Sequence, residues 1–231
     1  MRRTVEPELL DDLPAADPRA MRSRSDLRRI NFLMGNAGVL TRLFANRLAA
    51  GSGHLRIIEL GAGDGSLLLR LARRWSKLGI TADVTLLDRQ MLLTAATCRA
   101  FAALNWSVAS VATEVGIYLE QSCAVADVML ANLFLHHFSD PQLRHLLQLA
   151  AARTNLFLAC EPRRSRLALN ASRLVGLAGC NAVTRHDAAV SVRAGFDGQE
   201  LSALWPPDGG WLLKESPAGL FSHAFIAQRH A

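Results

Sequence analysis

Arg56-Ile57-Ile58-Glu59-Leu60-Gly61-Ala62-Gly63-Asp64-Gly65-Ser66 is the stretch that decides how this chain is read. An apolar run with strand character breaks at a glycine-rich turn, and residues 67–75 then follow with helical period. Alternating glycines let a backbone come close to a ligand, and the helix start beyond them offers free N–H groups to an anion. The spacing is not that of the dinucleotide fingerprint, which needs a glycine at position 66, where Ser66 stands. Glu59, two residues ahead of the first glycine, would repel a pyrophosphate. A cationic ligand suits it better.

A second acid follows at the expected distance. Ala82-Asp83-Val84-Thr85-Leu86-Leu87-Asp88 reads as the next strand, and Asp88 ends it 23 residues past Gly65, room for one helix and one strand. The Glu-x-Gly-x-Gly-x-Gly pattern of residues 59–65 resembles the first motif of the class I S-adenosylmethionine-dependent methyltransferases of small-molecule type. That resemblance implies that Glu59, Gly61, Ala62, Gly63, Asp64 and Gly65 cradle the methionine part of S-adenosyl-L-methionine. It also implies that Asp88 holds the ribose hydroxyls, with Arg89 adjoining it in the cofactor site.

Half of the 231 residues are hydrophobic, enough for a substantial core in one domain with embellishments. The net charge of +6 raises nucleic acid or an anionic membrane as partners. The cations, however, are almost all scattered arginines, with Lys77 and Lys214 the only lysines, so a small-molecule substrate and no nucleic acid are expected. Cys98, Cys123, Cys160 and Cys180 lack metal-ligand spacing and suit a reducing compartment. Met1-Arg2-Arg3 leads into acids and prolines rather than an apolar run, and no stretch reaches bilayer-spanning length, so a soluble cytoplasmic protein is expected. The apolar stretch 163–183, with basic residues at its start, leaves room for transient membrane contact.

From residue 55 onward strands and helices alternate as a doubly wound α/β sheet requires. The pattern predicts strands at 55–60, 82–87, 106–111, 125–131 and 154–160, and helices at 65–78, 90–103, 114–121 and 140–152. A helical insertion at about 163–197 follows the fifth strand, with 163–178 and 183–194 helical, and then come a short helix at 198–205 and a closing hairpin at 211–215 and 221–228. The resemblance implies a mostly parallel seven-stranded sheet of Rossmann-like methyltransferase type with the last strand antiparallel. Ahead of this core (51–231), residues 1–20 read as a loose or partly ordered arm, and helices from Ser25 to Met34 and over 37–50 as a candidate lid.

Ligands of open α/β sheets sit beyond the carboxyl ends of the strands at the switch point, here between the first and fourth strands. Asn132 and the run Leu133-Phe134-Leu135-His136-His137-Phe138 fall there. By resemblance Asn132 touches the methionine moiety, and His136 or His137 faces the acceptor as a general base. Thr184-Arg185-His186-Asp187 forms a second cluster in which Asp187 would orient His186 as a base. Glu161, ending the fifth strand, either reaches the substrate side or caps and pairs locally. No spacing argues for a metal.

The absence of an Asp/Asn-Pro-Pro-aromatic sequence after the fourth strand, and of any Pro-Cys pair, speaks against base-amine and cytosine-C5 acceptors. Taken together, the expectation is S-adenosylmethionine-dependent O-methylation of a phenolic or polyketide-like hydroxyl in secondary metabolism. C-methylation of a quinone-like or polyketide ring, an RNA methyltransferase and a catalytically inactive cofactor-binding protein stand as alternatives.

Overall fold

A computed structural model describes residues 1–45 and 53–230. Seven strands form one sheet: β1 (His54–Leu60), β2 (Thr81–Asp88), β3 (Ser107–Ala112), β4 (Ala126–Asn132), β5 (Thr154–Pro162), β6 (Trp211–Ala218) and β7 (Ser222–Arg229). Their order is β3-β2-β1-β4-β5-β7-β6. The first five are parallel, and β7 runs antiparallel to both β5 and β6. The order reverses between β1 and β4, where Leu60 stands opposite Ala131. That places the ends of both strands, and the turns that follow them, at one crevice.

Each face of the sheet is covered by helices that bury an apolar stripe. α3 (Ser66–Trp75) buries Leu67, Leu68, Leu71, Ala72 and Trp75 and leaves Arg73 and Arg74 outward. Fully burying one such leucine is worth about 1.5–3 kcal/mol. On the same face α2 (Asn36–Ala45) stacks Phe44 on Trp75 with ring centroids 3.9 Å apart. The opposite face is packed by α5 (Val115–Gln121), α6 (Asp140–Ala151) and α9 (Glu200–Leu204), with Trp205 against Phe157 and Phe225. No helix among the described residues is long and apolar enough to cross a membrane.

Boundaries shift where local capping overrides apolar period. α1 (Pro18–Met34) begins a full two turns before the expected Ser25, because Asp17 accepts the Arg19 N–H and Pro18 occupies the first turn. α4 (Ala95–Ala102) starts five residues later than expected, since Thr94 caps the Thr97 N–H. Residues 163–178 break into α7 (Arg166–Arg173) and a 3₁₀ turn, Val175–Ala178, that ends at left-handed Gly179. α8 (Ala182–Ala194) follows. The expected helix over 37–50 is seen as far as Ala45; its remainder lies outside the described residues.

Of the two readings of the N-terminal arm, the ordered one holds for residues 1–17: they run as an irregular strap across the carboxyl ends of the strands. Arg3 donates to the carbonyls of Phe138 and Ala194 and pairs with Asp140, and the Leu9 and Leu10 N–H groups donate to the two carboxylate oxygens of Asp187.

Candidate active site

The turn after β1 takes the shape its glycines permit. Gly61, Gly63 and Gly65 all have φ between 56° and 73°, a left-handed backbone that disfavours other residues. A Cβ on Gly61 would lie 2.2 Å from the Phe134 ring, whereas one on Gly63 would meet nothing within 4 Å and project into free space. Ala62 donates its N–H to the Leu87 carbonyl at 2.9 Å, tying the turn to β2. Asp88 accepts the Gly63 N–H at 2.8 Å and the Gln90 N–H at 2.9 Å, so its carboxylate is held at the turn. Asp64 accepts the Ser66 N–H and pairs with Arg28 of α1 at 3.1 Å.

Glu59 is buried at the root of this turn, and its Oε2 has no hydrogen-bond partner among the described residues. Burial, reinforced by the charges of Asp64 and Asp88, raises its pKa well above the ordinary carboxylate value, and Arg70 only partly opposes this. An unpartnered buried carboxylate beside an open glycine is a cradle for a ligand that brings positive charge. The residues present therefore fit a sulfonium amino-acid nucleoside.

The segment after β4 is shaped by β5. Leu133 sits at φ 50°, and its N–H bonds the Cys160 carbonyl. The chain then makes a 3₁₀ turn, Leu135–His137. Glu161 caps that turn from β5: it accepts the N–H groups of Phe134 and Leu135 at 3.0 Å each and meets His136 Nδ1 at 2.8 Å. Glu161 is thus fully engaged as a cap and pairing partner, and it is not among the cavity-lining residues. Asn132 accepts a 2.9 Å bond from Asn36 of α2 and lines the cavity.

The two histidines occupy different environments. His136 is buried between carboxylates, Glu161 on Nδ1 and Glu8 of the strap on Nε2 at 3.3 Å. Burial alone would lower its pKa, but the hydrogen bonds and charges of Glu161 and Glu8 outweigh that and raise it to about 9. Both of its ring nitrogens are engaged by carboxylates. His137 is partly exposed and lines the cavity, with Nδ1 3.2 Å from Asp11 Oδ2. Its ring lies against His136 at 4.3 Å between centroids. Glu8, His136 and His137 also form the one group of three or more among the described residues with potential ligand atoms within 4.8 Å of one another. As they stand, His136 Nδ1 and Nε2 are both committed to carboxylates.

A cavity of about 450 Å³ joins these parts. Glu59, Gly61, Ala62, Gly63, Asp64, Asp88 and Arg89 line one end, and Asn132, Phe134, His137, Leu10 and Asp11 the other. Arg89 turns to Asp11 at 3.2 Å, and Gly65 sits behind the wall against Leu86. His186 is not brought to the cavity. It pairs with Asp187 at 2.9 Å and is half exposed, while Asp187 is occupied in anchoring the strap. Sequence reasoning missed Glu8 and Asp11 altogether, because a polar, proline-bearing arm shows no period and its partners are more than 120 residues away.

No protein-family model matches the chain, and no curated protein matches it in sequence. Solved structures do match its fold. An O-methyltransferase family protein from Burkholderia thailandensis superposes with a TM-score of 0.62 at 19% identity, over 94% of this chain and 61% of that one. The plantazolicin methyltransferase BamL, solved with a triazolic desmethylPZN analog and SAH, gives 0.64 at 11% identity over 96% and 93% of the two chains. Magnesium protoporphyrin IX methyltransferase (ChlM) from Synechocystis PCC 6803, with bound SAM, gives 0.55 at 11% identity over 96% and 88%. With the sheet order, the glycine turn and the acid ending β2, these likenesses establish the architecture: the chain has the Rossmann-like fold of the class I methyltransferases.

Proposed function

We propose that this chain is an S-adenosylmethionine-dependent methyltransferase acting on a small molecule, and that it methylates a phenolic or polyketide-like hydroxyl. The observation that carries this reading is the union, in one cavity, of a cradle for a cationic nucleoside and a histidine with its own carboxylate partner. The match of the fold to methyltransferases solved with SAH or SAM supports the cofactor.

When bound, the cofactor supplies an electrophilic methyl carbon on a sulfonium. Glu59 and the 61–65 turn would hold its amino-acid part and Asp88 its ribose, with Asn132 closing the methionine end. His137 lies on the acceptor side. A phenol has a pKa near 10, so loss of its proton must accompany attack, and a positioned base is worth about 10²–10⁴-fold. His137 takes that proton as the oxygen–methyl bond forms, and the Asp11 carboxylate stabilises the resulting imidazolium. His136 keeps its proton and balances Glu8 and Glu161. The partly buried side chains of Leu10 and Phe138, which line the cavity, help keep water from the methyl group.

Thermal melting with SAH, followed by incubation with S-adenosylmethionine and a panel of simple phenols, tests this directly. SAH should raise the melting temperature, and mass spectrometry should detect the gain of one methyl on a phenol. His137→Ala should lower kcat about 10²–10⁴-fold while leaving SAH affinity nearly unchanged. No melting shift would remove the cofactor assignment; a normal rate in His137→Ala would remove the base.

A further inference from the structure

Both carboxylates that face the histidine pair from the acceptor side arrive on the strap. Glu8 enters between His136 Nε2 and the Ser191 hydroxyl, which donates to it in a short hydrogen bond. Asp11 bridges His137 Nδ1 and Arg89, each at 3.2 Å. Without the strap His136 would still have Glu161, but His137 would have no carboxylate partner among the described residues. The base and the group that orients it therefore come together only when residues 1–17 lie down.

The way the strap is held suggests that it also lifts. Met1, Val5 and Leu9 are exposed, so little apolar burial fastens it. Its anchors are polar: Arg3 to Asp140 and to backbone carbonyls, the Leu9 and Leu10 N–H groups to Asp187, Arg193 to Glu6, and Gln90 to the Leu13 carbonyl. Such bonds each contribute little net stability, and ordering the backbone of every strap residue opposes them. A segment held this way is drawn from the low-stability end of a structure. Its residues Glu8, Leu10 and Asp11 form a wall of the cavity. At about 450 Å³ that cavity lies toward the lower end of the usual range of roughly 300–1,000 Å³, yet it has to admit both a nucleoside and an acceptor.

We propose that residues 1–17 are a closing strap that completes the active site, and that Asp11 and Glu8 are its positioning residues. Asp11 keeps the proton of His137 on Nδ1 and so leaves Nε2 as the accepting nitrogen; Glu8 clamps the strap to His136. This rests on the reading of His137 as the base. It adds that the base is assembled by a segment that must move for the site to load.

The experiment uses the full-length protein with ¹⁵N-labelled histidine, with SAH as the probe. Imidazole spectra should show His137 in the Nδ1–H tautomer, and amide hydrogen exchange at Leu9 and Leu10 should slow at least tenfold when SAH is added. Asp11→Asn should shift His137 toward the Nε2–H tautomer. With the phenol methylated in the screen above, kcat should fall at least tenfold with KM within about twofold, and Asp11→Glu should restore part of kcat. SAH binding with unchanged strap exchange and an unchanged tautomer in Asp11→Asn would overturn the inference while leaving the methyltransferase reading in place. Failure of SAH to bind would overturn both.

Discussion

Glu59 carries an electrostatic cost that its surroundings do not offset. Its carboxylate is buried with Asp64 and Asp88 nearby, and one oxygen has no partner, so the free protein favours its protonated form far more than solvent does. The sign follows from linkage. A carboxyl whose folded pKa is raised takes stability away as pH rises above its unfolded value of about 4.5 and toward the raised one. The α-ammonium group that S-adenosylmethionine and SAH share would bring positive charge against Glu59 and favour its ionised form, so binding should release a proton. Calorimetry of SAH binding in two buffers of different ionisation enthalpy should therefore give different apparent enthalpies. In Glu59→Gln that difference should vanish and SAH affinity should fall by roughly 10–100-fold, the loss of a hydrogen bond to a charged group. The melting temperature of the unliganded variant should stay equal or rise, because the cost of burying an ionisable carboxyl has gone. Proton release that persists in the variant would assign it to another residue.

Between β5 and α8 the fold has a weld that governs how the site's elements meet. Gly195, just past α8, lies so close to β5 that an added Cβ would come within 2.3 Å of the Pro162 carbonyl oxygen. Phe196 donates its N–H to that same carbonyl, and Arg164 donates its N–H to Phe196 and its Nε to the Gly195 carbonyl. β5 carries Glu161 and α8 carries Asp187 and Ser191, so this contact sets the cap of the histidine turn relative to the strap anchors. Gly195→Ala should force a backbone shift that destabilises by about 1–3 kcal/mol, read as a lower urea midpoint at unchanged slope. A midpoint equal to the parent's would show that the weld yields freely. At this scale the sequence was readable wherever pattern and punctuation agree. Ile57, Ile58 and Leu60 run into Gly61, and Val128, Met129 and Leu130 into Asn132, so β1 and β4 announce themselves. It was misleading where one cap outweighs several apolar residues: Leu92 and Leu93 look helical, but Thr94 starts α4 only at Ala95. Gly195 carries no local sign of its role, because the atom it must avoid belongs to residue 162.

Across the whole molecule, the contacts that finish the site join the first residues of the chain to segments more than 120 residues away. Glu8 meets His136 and Asp11 meets His137, Leu9 and Leu10 meet Asp187, and Arg3 reaches Ala194. That Glu59, the glycines and Asp88 meet at one cavity was legible because they lie within one βαβ unit, where spacing constrains geometry. The opposite wall was legible only as far as the histidines, since no periodicity links a polar arm to a distant turn. That arm makes the fold sensitive to pH in a predictable direction. His136 faces Glu161 from β5 and Glu8 from the strap, with His137 stacked on it, Asp11 beyond that ring and the Arg3 guanidinium 3.4 Å from its carbonyl. Its pKa of about 9, raised from an ordinary 6.5, means that its stabilisation is fully present below pH 6.5 and is lost as pH climbs through 9; the difference is on the order of 3 kcal/mol. Glu8 and Asp11 shift the other way. Burial raises both, but the bonds and charges of the histidines outweigh it and hold both below their ordinary values, so their contribution is present above about pH 4.5 and is lost as acid titrates the folded carboxylates. The summed contribution of these three groups is thus greatest between about pH 5 and 6.5, and the melting temperature of the unliganded protein should fall by roughly 6–12 °C from there to pH 10, taking about 2–4 °C per kcal/mol at this chain length. Glu8→Gln removes one of the two carboxylates that raise His136. It should lower the melting temperature at pH 7 and shrink the alkaline fall, with strap amide exchange becoming faster at neutral pH. An alkaline fall of the same size in parent and variant would assign it to groups other than the strap's clamp on His136.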